Sequence, residues 1–514
     1  MQPLRSLAEQ GRWIELEVEG RKVLLNNPKQ VEAMALLAYS LQQQARLEDA
    51  VILATQATTL SPTRWLSHFI AGVSLKGLGR EREACGYLRQ ALALSPNDFQ
   101  TLQQLIEAVA ASDGIEFAAT EYSAHCLQIG KKADIVTAPV CTVRDWAQKI
   151  SLPLLEVYNI EEIPFKAPKV WGMTSESEVR FALSNKPYVA NITNARIFSN
   201  SGIILTSDGT ALSDTGGHPQ FGSYVSFVYD KVVLAQQSNK VLLNFSDYKT
   251  HEIEAGIHLS GLASNAFGHW LPEFLPKLQF LKKHPDFARL PIIVDEDMPQ
   301  SHFDHLRRLA ENPLILLPAN VSFLCKHLLV APSPAFSPVE LFPNDIPVHE
   351  MPGLSPRALR FIQGNQSYDT NKPRNRRIFL ARKNMKWRRL LNEDDIAENL
   401  SKLGFEKIFI EEMTVSDQID LFRQAQWIVA PNGSSLLNLI FSDTNVKLLV
   451  LCQPNLFNWG TFQGPMDALG YHSICVCGEN AVARDYKHSD YSVSIQHIRQ
   501  GLADMGMNEA RTNS

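Results

Sequence analysis

Cysteine is sparse and odd in number: seven residues, Cys85, Cys126, Cys141, Cys325, Cys452, Cys475 and Cys477, scattered over the chain. That pattern suits reduced thiols and excludes a disulfide framework. Cys475 and Cys477 form a C-x-C pair without a matching second pair. Alternation along ICVC puts both on one face of a strand, so strand core is a better reading than metal ligation. Also absent is any uncharged apolar run near the ~18 residues that span a bilayer, and the start MQPLRSLAEQ has no apolar signal-type segment. Neither sign of charge dominates, with 49 Lys and Arg against 54 Asp and Glu. This excludes a nucleic-acid coat or a polybasic membrane arm. The expectation is a cytoplasmic protein with no transmembrane segment and no nucleic-acid partner.

What the chain does have is length and apolar content: 514 residues, 45% of them hydrophobic, enough for about three domains with cores of their own. The first is marked by a period. Pro28, Pro62 and Pro96 recur every 34 residues, and Ala50, Ala57, Ala84 and Ala91 fall at matching offsets, as do Ala38 with Gly72 and Leu41 with Leu75. Small residues at such offsets let two antiparallel helices pack closely, and proline ends the second helix. The period resembles the tetratricopeptide repeat. Segments 29–62 and 63–96 match well. The flanking segments, about 1–28 and 97–130, match poorly, as terminal repeats do where their outer faces meet water. Such repeats offer a groove for an acceptor or protein partner, or a scaffold for self-association.

From 131 to 255 short alternating runs, YVANITNARIF, SGIILTS and SYVSFVYDKVVLA, are separated by Asp208-Gly209 and Gly216-Gly217, which predict hairpins. From about 256 strand-like runs (LPIIVD, HLLVA, RRIFLAR, FEKIFIE, QWIVA, VKLLVLC) alternate with helix-like ones (HFDHLRRLA, EDDIAENLSKL, SDQIDLFRQA). Repeated β-α-β units predict parallel sheets covered by helices. The polar interruption GNQSYDTNKPRNR divides the series, which predicts two Rossmann-like lobes facing one another across a cleft. The expected domains are 1–130 (helical repeats), 131–370 (β-rich lead-in and first lobe) and 371–514 (second lobe with a returning C-terminal helix).

Three segments carry candidate chemistry. In WIVAPNGSSLLNLIFS (427–442) an apolar run ends at Pro431, a small polar loop follows, and a second apolar segment starts at once. This is the layout of a strand, a turn and a helix start whose free amides and partial positive charge suit a phosphate. Standing alone, such a turn is more commonly an ordinary β-to-α turn at a sheet edge. In SNAFGHWLPEFLPKLQFL (264–281), Leu271, Phe274, Leu275, Leu278 and Leu281 recur at helical spacing, and His269 and Glu273 stand four apart on one face. Pro272 fits a first turn and Pro276 predicts a kink. At a helix start the neutral imidazole is favoured, which suits His269 as a general base; a capping histidine beside Trp270 is the structural alternative. RRIFLARKNMKWRRLLNE (376–393) runs from a strand into Arg382, Lys383, Lys386, Arg388 and Arg389, then into a helix with Asn392 as the expected N-cap. Cations after a parallel strand can clamp a diphosphate, Arg with a forked donor set, although such runs are more often solvated faces.

The ordered motifs NAFGHWLPEFLPKL, RLLNE and MTVSDQIDLFRQAQWIVAPNGSSLLNLIF resemble those of glycosyltransferase family 61, across roughly residues 180–480. The family motif H-G-A-G-L-T-N reads here Asn432, Gly433, Ser434, Ser435, Leu436, Leu437, Asn438, so asparagine replaces histidine; a family acidic position near Val450 is also lost. The resemblance implies an α/β fold of GT-B type, a pair of Rossmann-type lobes behind the all-α repeats. It also implies inverting transfer from a nucleotide sugar, UDP-linked, to a glycan acceptor in capsule, lipopolysaccharide or related polysaccharide synthesis. His269 is then the base with Glu273 as its orienting partner or the alternative base. Arg382, Arg389 and the loop residues Asn432, Gly433, Ser434, Ser435, Leu436 and Asn438 hold the donor, with no metal and no separate cofactor. A polypeptide acceptor and a catalytically silent repeat scaffold are the alternatives. Asp295-Glu296-Asp297 is a metal-type D-x-D, but it lies far from the arginine cluster and is taken as an exposed acidic loop.

Overall fold

The computed structural model of the chain describes all residues except 167–168, 173–178, 185, 215–226, 228–229, 335–353, 365–372, 384–387, 455–465, 467–469, 482–489 and 508–514. Lys386 and the Gly216-Gly217 turn therefore lie outside the described residues. The chain divides into two compact units: one made of Met1–Val140, Gly209–Ala211 and Phe227–Tyr248, the other of Cys141–Asp208, Leu212–Ser226 and Lys249–Ser514.

The first unit begins with four helix pairs: Gln2–Glu9 with Trp13–Asn26, Val31–Gln43 with Leu47–Leu60, Trp65–Gly77 with Glu81–Leu94, and Phe99–Ser112 with Ile115–Gln128. The helices ending at Asn26, Leu60 and Leu94 stop two residues before Pro28, Pro62 and Pro96, as the period predicts. Ala38, Ala50, Ala57, Ala84 and Ala91 are fully buried, so their size sets how closely the helices approach. The outer face of the last repeat, expected to meet water, is instead covered. Strands Ile135–Thr142, Val233–Gln237 and Lys240–Asn244 form an antiparallel ribbon, and Leu234, Ala235 and Leu242 enter the helical core. The expected boundary near residue 130 thus gives way to a unit that includes part of the β-rich lead-in. Gly72 shows how tight the packing is: an added Cβ would stand 2.6 Å from Leu88 Cγ. Gly72→Ala should therefore lower stability by about 1–3 kcal/mol through overpacking. Thermal unfolding checks this, and an unchanged Tm would contradict the contact.

Among the described residues the second unit contains two large sheets beside two two-stranded ones. In one, Leu314–Leu317, Ile292–Asp295, Lys249–His258 and Val321–Val330 run parallel in that order, and Tyr188–Phe198 pairs antiparallel with the last. In the other, six parallel strands follow the order Glu406–Phe409, Arg376–Ala381, Ala425–Pro431, Lys447–Cys452, His472–Cys477, Lys169–Val170. The returning helix Ile495–Asp504 buries Ile498 and Leu502 against this sheet. Buried residues of the two sheets belong to one hydrophobic cluster. Ile257, Trp270, Leu271 and Leu275 belong to the same buried cluster as Ile378, Ile428, Leu436 and Leu437. The apolar sides of segments 267–281 and 434–441 are each too large to leave in water, and they cover one another. All seven cysteines are free thiols. Among the described residues, no helix is long and apolar enough to cross a membrane.

Candidate active site

Strand order locates the crevice. In the six-stranded sheet the chain goes from Arg376–Ala381 outward to Glu406–Phe409, then returns past its start to Ala425–Pro431 on the other side. Loops leaving the carboxyl ends of strands 376–381 and 425–431 therefore diverge, which is where open α/β sheets bind ligands. Arg382 leaves the first strand and the Pro431–Ser434 turn leaves the second.

The guanidinium of Arg382 lies in that gap. Its Nη2 donates to the carbonyl of Pro431 at 3.2 Å and to that of Asn432, and its backbone amide donates to Glu393 Oε2 at 3.1 Å. Only glycine fits beside it, since a Cβ on Gly433 would stand 2.2 Å from Nη2. Burial lowers the pKa of Arg382, and the like charge of Arg388 adds to this. Among the described residues no carboxylate pairs with the Arg382 side chain. Arg388 belongs to the basic run but had no separate place in the sequence reading. It has a backbone φ of 55° and a buried Nε with no described partner. A non-glycine residue at positive φ is uncommon and is held by its surroundings. Two guanidiniums without carboxylate partners at a strand edge favour an anion.

Beyond the turn, Ser434–Phe441 forms a 3-10 helix rather than the α-helix start expected. The Leu436 amide closes on the Gly433 carbonyl at 3.0 Å, so of the expected amide cradle Gly433, Ser434 and Ser435 keep N–H groups without an acceptor among the described residues. Leu436 itself is fully buried. Asn432 is buried, its amide bonded to the Leu451 carbonyl at 2.9 Å. Asn438 braces the loop through Nδ2 to the Ser435 carbonyl at 3.2 Å, leaving its buried Oδ1 without a described partner. Val450 is fully buried within its strand.

The histidine motif forms a helix of changing pitch: α over Phe267–His269, π over Trp270–Phe274, 3-10 over Leu275–Lys277 and α over Leu278–Leu281. Pro272 and Pro276 lack the amide hydrogen a regular ladder needs, so the pitch changes three times where one kink was expected. The turn carrying His269 packs against the 3-10 helix Ser434–Phe441, which follows the Pro431–Ser434 turn in the chain. His269 Nδ1 lies 2.8 Å from Glu273 Oε1, and the two side chains are 27% and 9% exposed. With Nδ1–H donated to the carboxylate, Nε2 is the ring's proton acceptor. The helix start was expected to favour the neutral imidazole. Burial does act that way, but the charge and hydrogen bond of Glu273 outweigh it and raise the His269 pKa above its ordinary 6.5. Burial also raises the Glu273 pKa, against the pull of His269 and Lys277.

A base works only when unprotonated, so the rate should fall as pH drops through this raised pKa. In Glu273→Gln burial acts alone, and the acid limb of the kcat profile should move to lower pH with a reduced plateau. An unmoved limb would show that Glu273 does not tune His269.

Other expected contacts go elsewhere. Arg389 is bound to Asp490, with Nη2 at 2.6 Å and Nε at 2.9 Å from Oδ2, its own side chain largely exposed. Lys383 pairs with Glu412. Asn392 occupies the N-cap position, but its side chain exchanges hydrogen bonds with the Val493 backbone rather than capping. Asp295, expected on an exposed acidic loop, is completely buried at its strand end. It accepts from the amides of Asn200 (2.8 Å) and Gly261 (2.9 Å) and from Ser264 Oγ (2.7 Å). Burial pushes its pKa up to about 6. Those three donors make it a structural tie between loops; Glu296 and Asp297 are exposed.

Comparisons with known proteins agree with the helical repeats and the motif order. No curated protein matches the chain. Solved structures similar to the repeats include MamA (21% identity, 25% of this chain and 75% of that one, TM-score 0.23). Others are the second TPR domain of human RPAP3 in complex with an HSP70 peptide (18%, 20% and 87%, TM-score 0.20) and the Arabidopsis OM64 TPR domain (16%, 20% and 84%, TM-score 0.20). At these scores the likenesses carry nothing about what this chain binds. Residues 267–449 match the family model Glycosyltransferase 61, a span that begins at the turn carrying His269 and encloses Arg382 and the 431–438 loop. The chain thus carries a glycosyltransferase 61 domain behind an N-terminal array of tetratricopeptide-like helices.

Proposed function

We propose that this protein is an inverting, metal-independent glycosyltransferase. It moves a sugar from a UDP-linked donor to a glycan acceptor in the cytoplasm, in capsule, lipopolysaccharide or related polysaccharide synthesis, and its two sheets act as a GT-B-type pair. The observation that carries this reading is the Arg382 guanidinium, fixed on the Pro431 and Asn432 carbonyls with no carboxylate partner among the described residues, at the turn that leads into the 3-10 helix against which the His269 turn packs.

His269 Nε2 takes the proton of the acceptor hydroxyl, whose oxygen attacks the anomeric carbon as the bond to the diphosphate breaks. Glu273 holds the imidazole through Nδ1–H and stabilises the imidazolium that forms. The leaving diphosphate gains charge as the bond breaks. Arg382, Arg388 and the free amides of Gly433, Ser434 and Ser435 meet that charge without reorganising. Positive charge supplied by side chains and amides is the basis for the metal-independent reading, and turnover undiminished by a chelator is its expected result.

The repeats recruit the acceptor or a partner enzyme. A polypeptide acceptor is the second reading, favoured by the joining of helical repeats to the transferase segment in one chain. The test is to incubate the full chain with a panel of nucleotide sugars and follow nucleoside diphosphate release, with and without glycan and peptide acceptors. One productive donor supports the enzyme. Neither release nor binding with any nucleotide leaves a repeat scaffold.

A further inference from the structure

Below the His269–Glu273 pair lies a second buried pair that the transfer chemistry does not use. Lys277 follows Glu273 by four residues on the same helix, and its Nζ donates to the carboxylate of Asp214. Their side chains are only 3% and 5% exposed. Lys277 Nζ also stands 5.1 Å from the Phe274 ring centroid. The groups facing Glu273 are His269 and Lys277 on its own helix, which favour its ionised form, and Asp214, just past the strand Ala211–Ser213, which opposes that form more weakly than Lys277 favours it. Lys277 and Asp214 also act on His258 of strand Lys249–His258, whose two ring nitrogens are buried without described partners. His258 is held neutral, at about 4, chiefly by burial.

A carboxylate sealed from water protonates unless a cation compensates it. Glu273 must stay ionised to accept Nδ1–H from His269, and His269 alone cannot supply the cation, since a base has to be neutral before it acts. Among the described residues the remaining cation facing Glu273 is Lys277, which is itself ion-paired with Asp214 in the interior.

We propose that Lys277 and Asp214 are positioning residues: their buried ion pair keeps Glu273 ionised and so keeps His269 in the tautomer whose Nε2 accepts the acceptor's proton. This rests on the reading of His269 as the base. Its own content, the ionisation of Glu273 and the tautomer of His269, is measurable without any transfer reaction.

The test uses the full chain with labelled histidine and glutamate side chains, the His269 and Glu273 signals being assigned from His269→Ala and Glu273→Gln. In the unaltered protein the Glu273 carboxyl should report the ionised form at pH 7. A protonated Glu273 there overturns the proposal with no variant needed. In Lys277→Met, and in Lys277→Met with Asp214→Asn, which leaves no lone buried charge should the single variant fail to fold, the His269 midpoint should fall by ~1 pH unit or more. Lys277→Arg should stay near the unaltered value. A folded variant of either kind with an unmoved His269 midpoint also overturns it. If the midpoints move as expected while no donor is ever turned over, the positioning stands and the transferase reading fails.

Discussion

His269→Ala should reduce kcat for sugar transfer by about 100- to 10,000-fold, the range over which a positioned general base contributes, and leave nucleotide affinity close to that of the unaltered protein. The geometry separates the two effects. His269 is 27% exposed and, among the described residues, its side chain is bonded only to Glu273, so its loss removes a proton acceptor without opening the core. Trp270, Leu271 and Leu275, which anchor the segment, are fully buried and stay in place. Steady-state kinetics beside a binding titration checks the split. A variant that keeps its kcat would move the base to another group, with Glu273 next in line. One that loses donor affinity would make His269 part of the binding surface.

Arg382→Ala should do the reverse and weaken nucleoside diphosphate binding by about 10- to 100-fold. A hydrogen bond to a charged group contributes about 1.5–3 kcal/mol, and each 1.4 kcal/mol is roughly tenfold. The side chain also staples the turn through the Pro431 and Asn432 carbonyls, so Arg382→Lys should recover little, a point charge being unable to reach two carbonyls and a phosphate together. Gly433→Ala should act in the same direction, because its Cβ would displace the guanidinium. Titration calorimetry with UDP measures each variant. Full affinity in Arg382→Ala would place the diphosphate elsewhere.

How much of this was legible beforehand depended on the range of the interaction. Local signals were readable: prolines at a fixed period located the helix ends, apolar runs located the strands of the six-stranded sheet, and i,i+4 spacing joined His269 to Glu273. Pitch was less readable. Whether Leu436 begins an α- or a 3-10 helix depends on how its amide closes on the Gly433 carbonyl, and the two prolines of the histidine segment could be read as breakers but not as the cause of a π turn. Long-range pairing was hidden. Asp490 stands 101 residues from Arg389 and takes it out of the basic cluster. Asn200, Gly261 and Ser264 turn Asp295 from an expected exposed-loop residue into a buried tie, and no sequence pattern links those residues. Lys277 continues the spacing of His269 and Glu273 and could have been seen; Asp214 could not. The mutual burial of segments 267–281 and 434–441 was hidden for a related reason, since their apolar faces were assigned to each lobe separately.

The central claim is that the Arg382 turn binds a nucleoside diphosphate. It is tested most directly by titrating the full chain with UDP, GDP and ADP in parallel with Arg382→Ala. The account predicts saturable binding of UDP by the unaltered protein and its loss in the variant at an unchanged melting temperature. Binding of none of the three by the unaltered protein, or equal binding by both proteins, would contradict it.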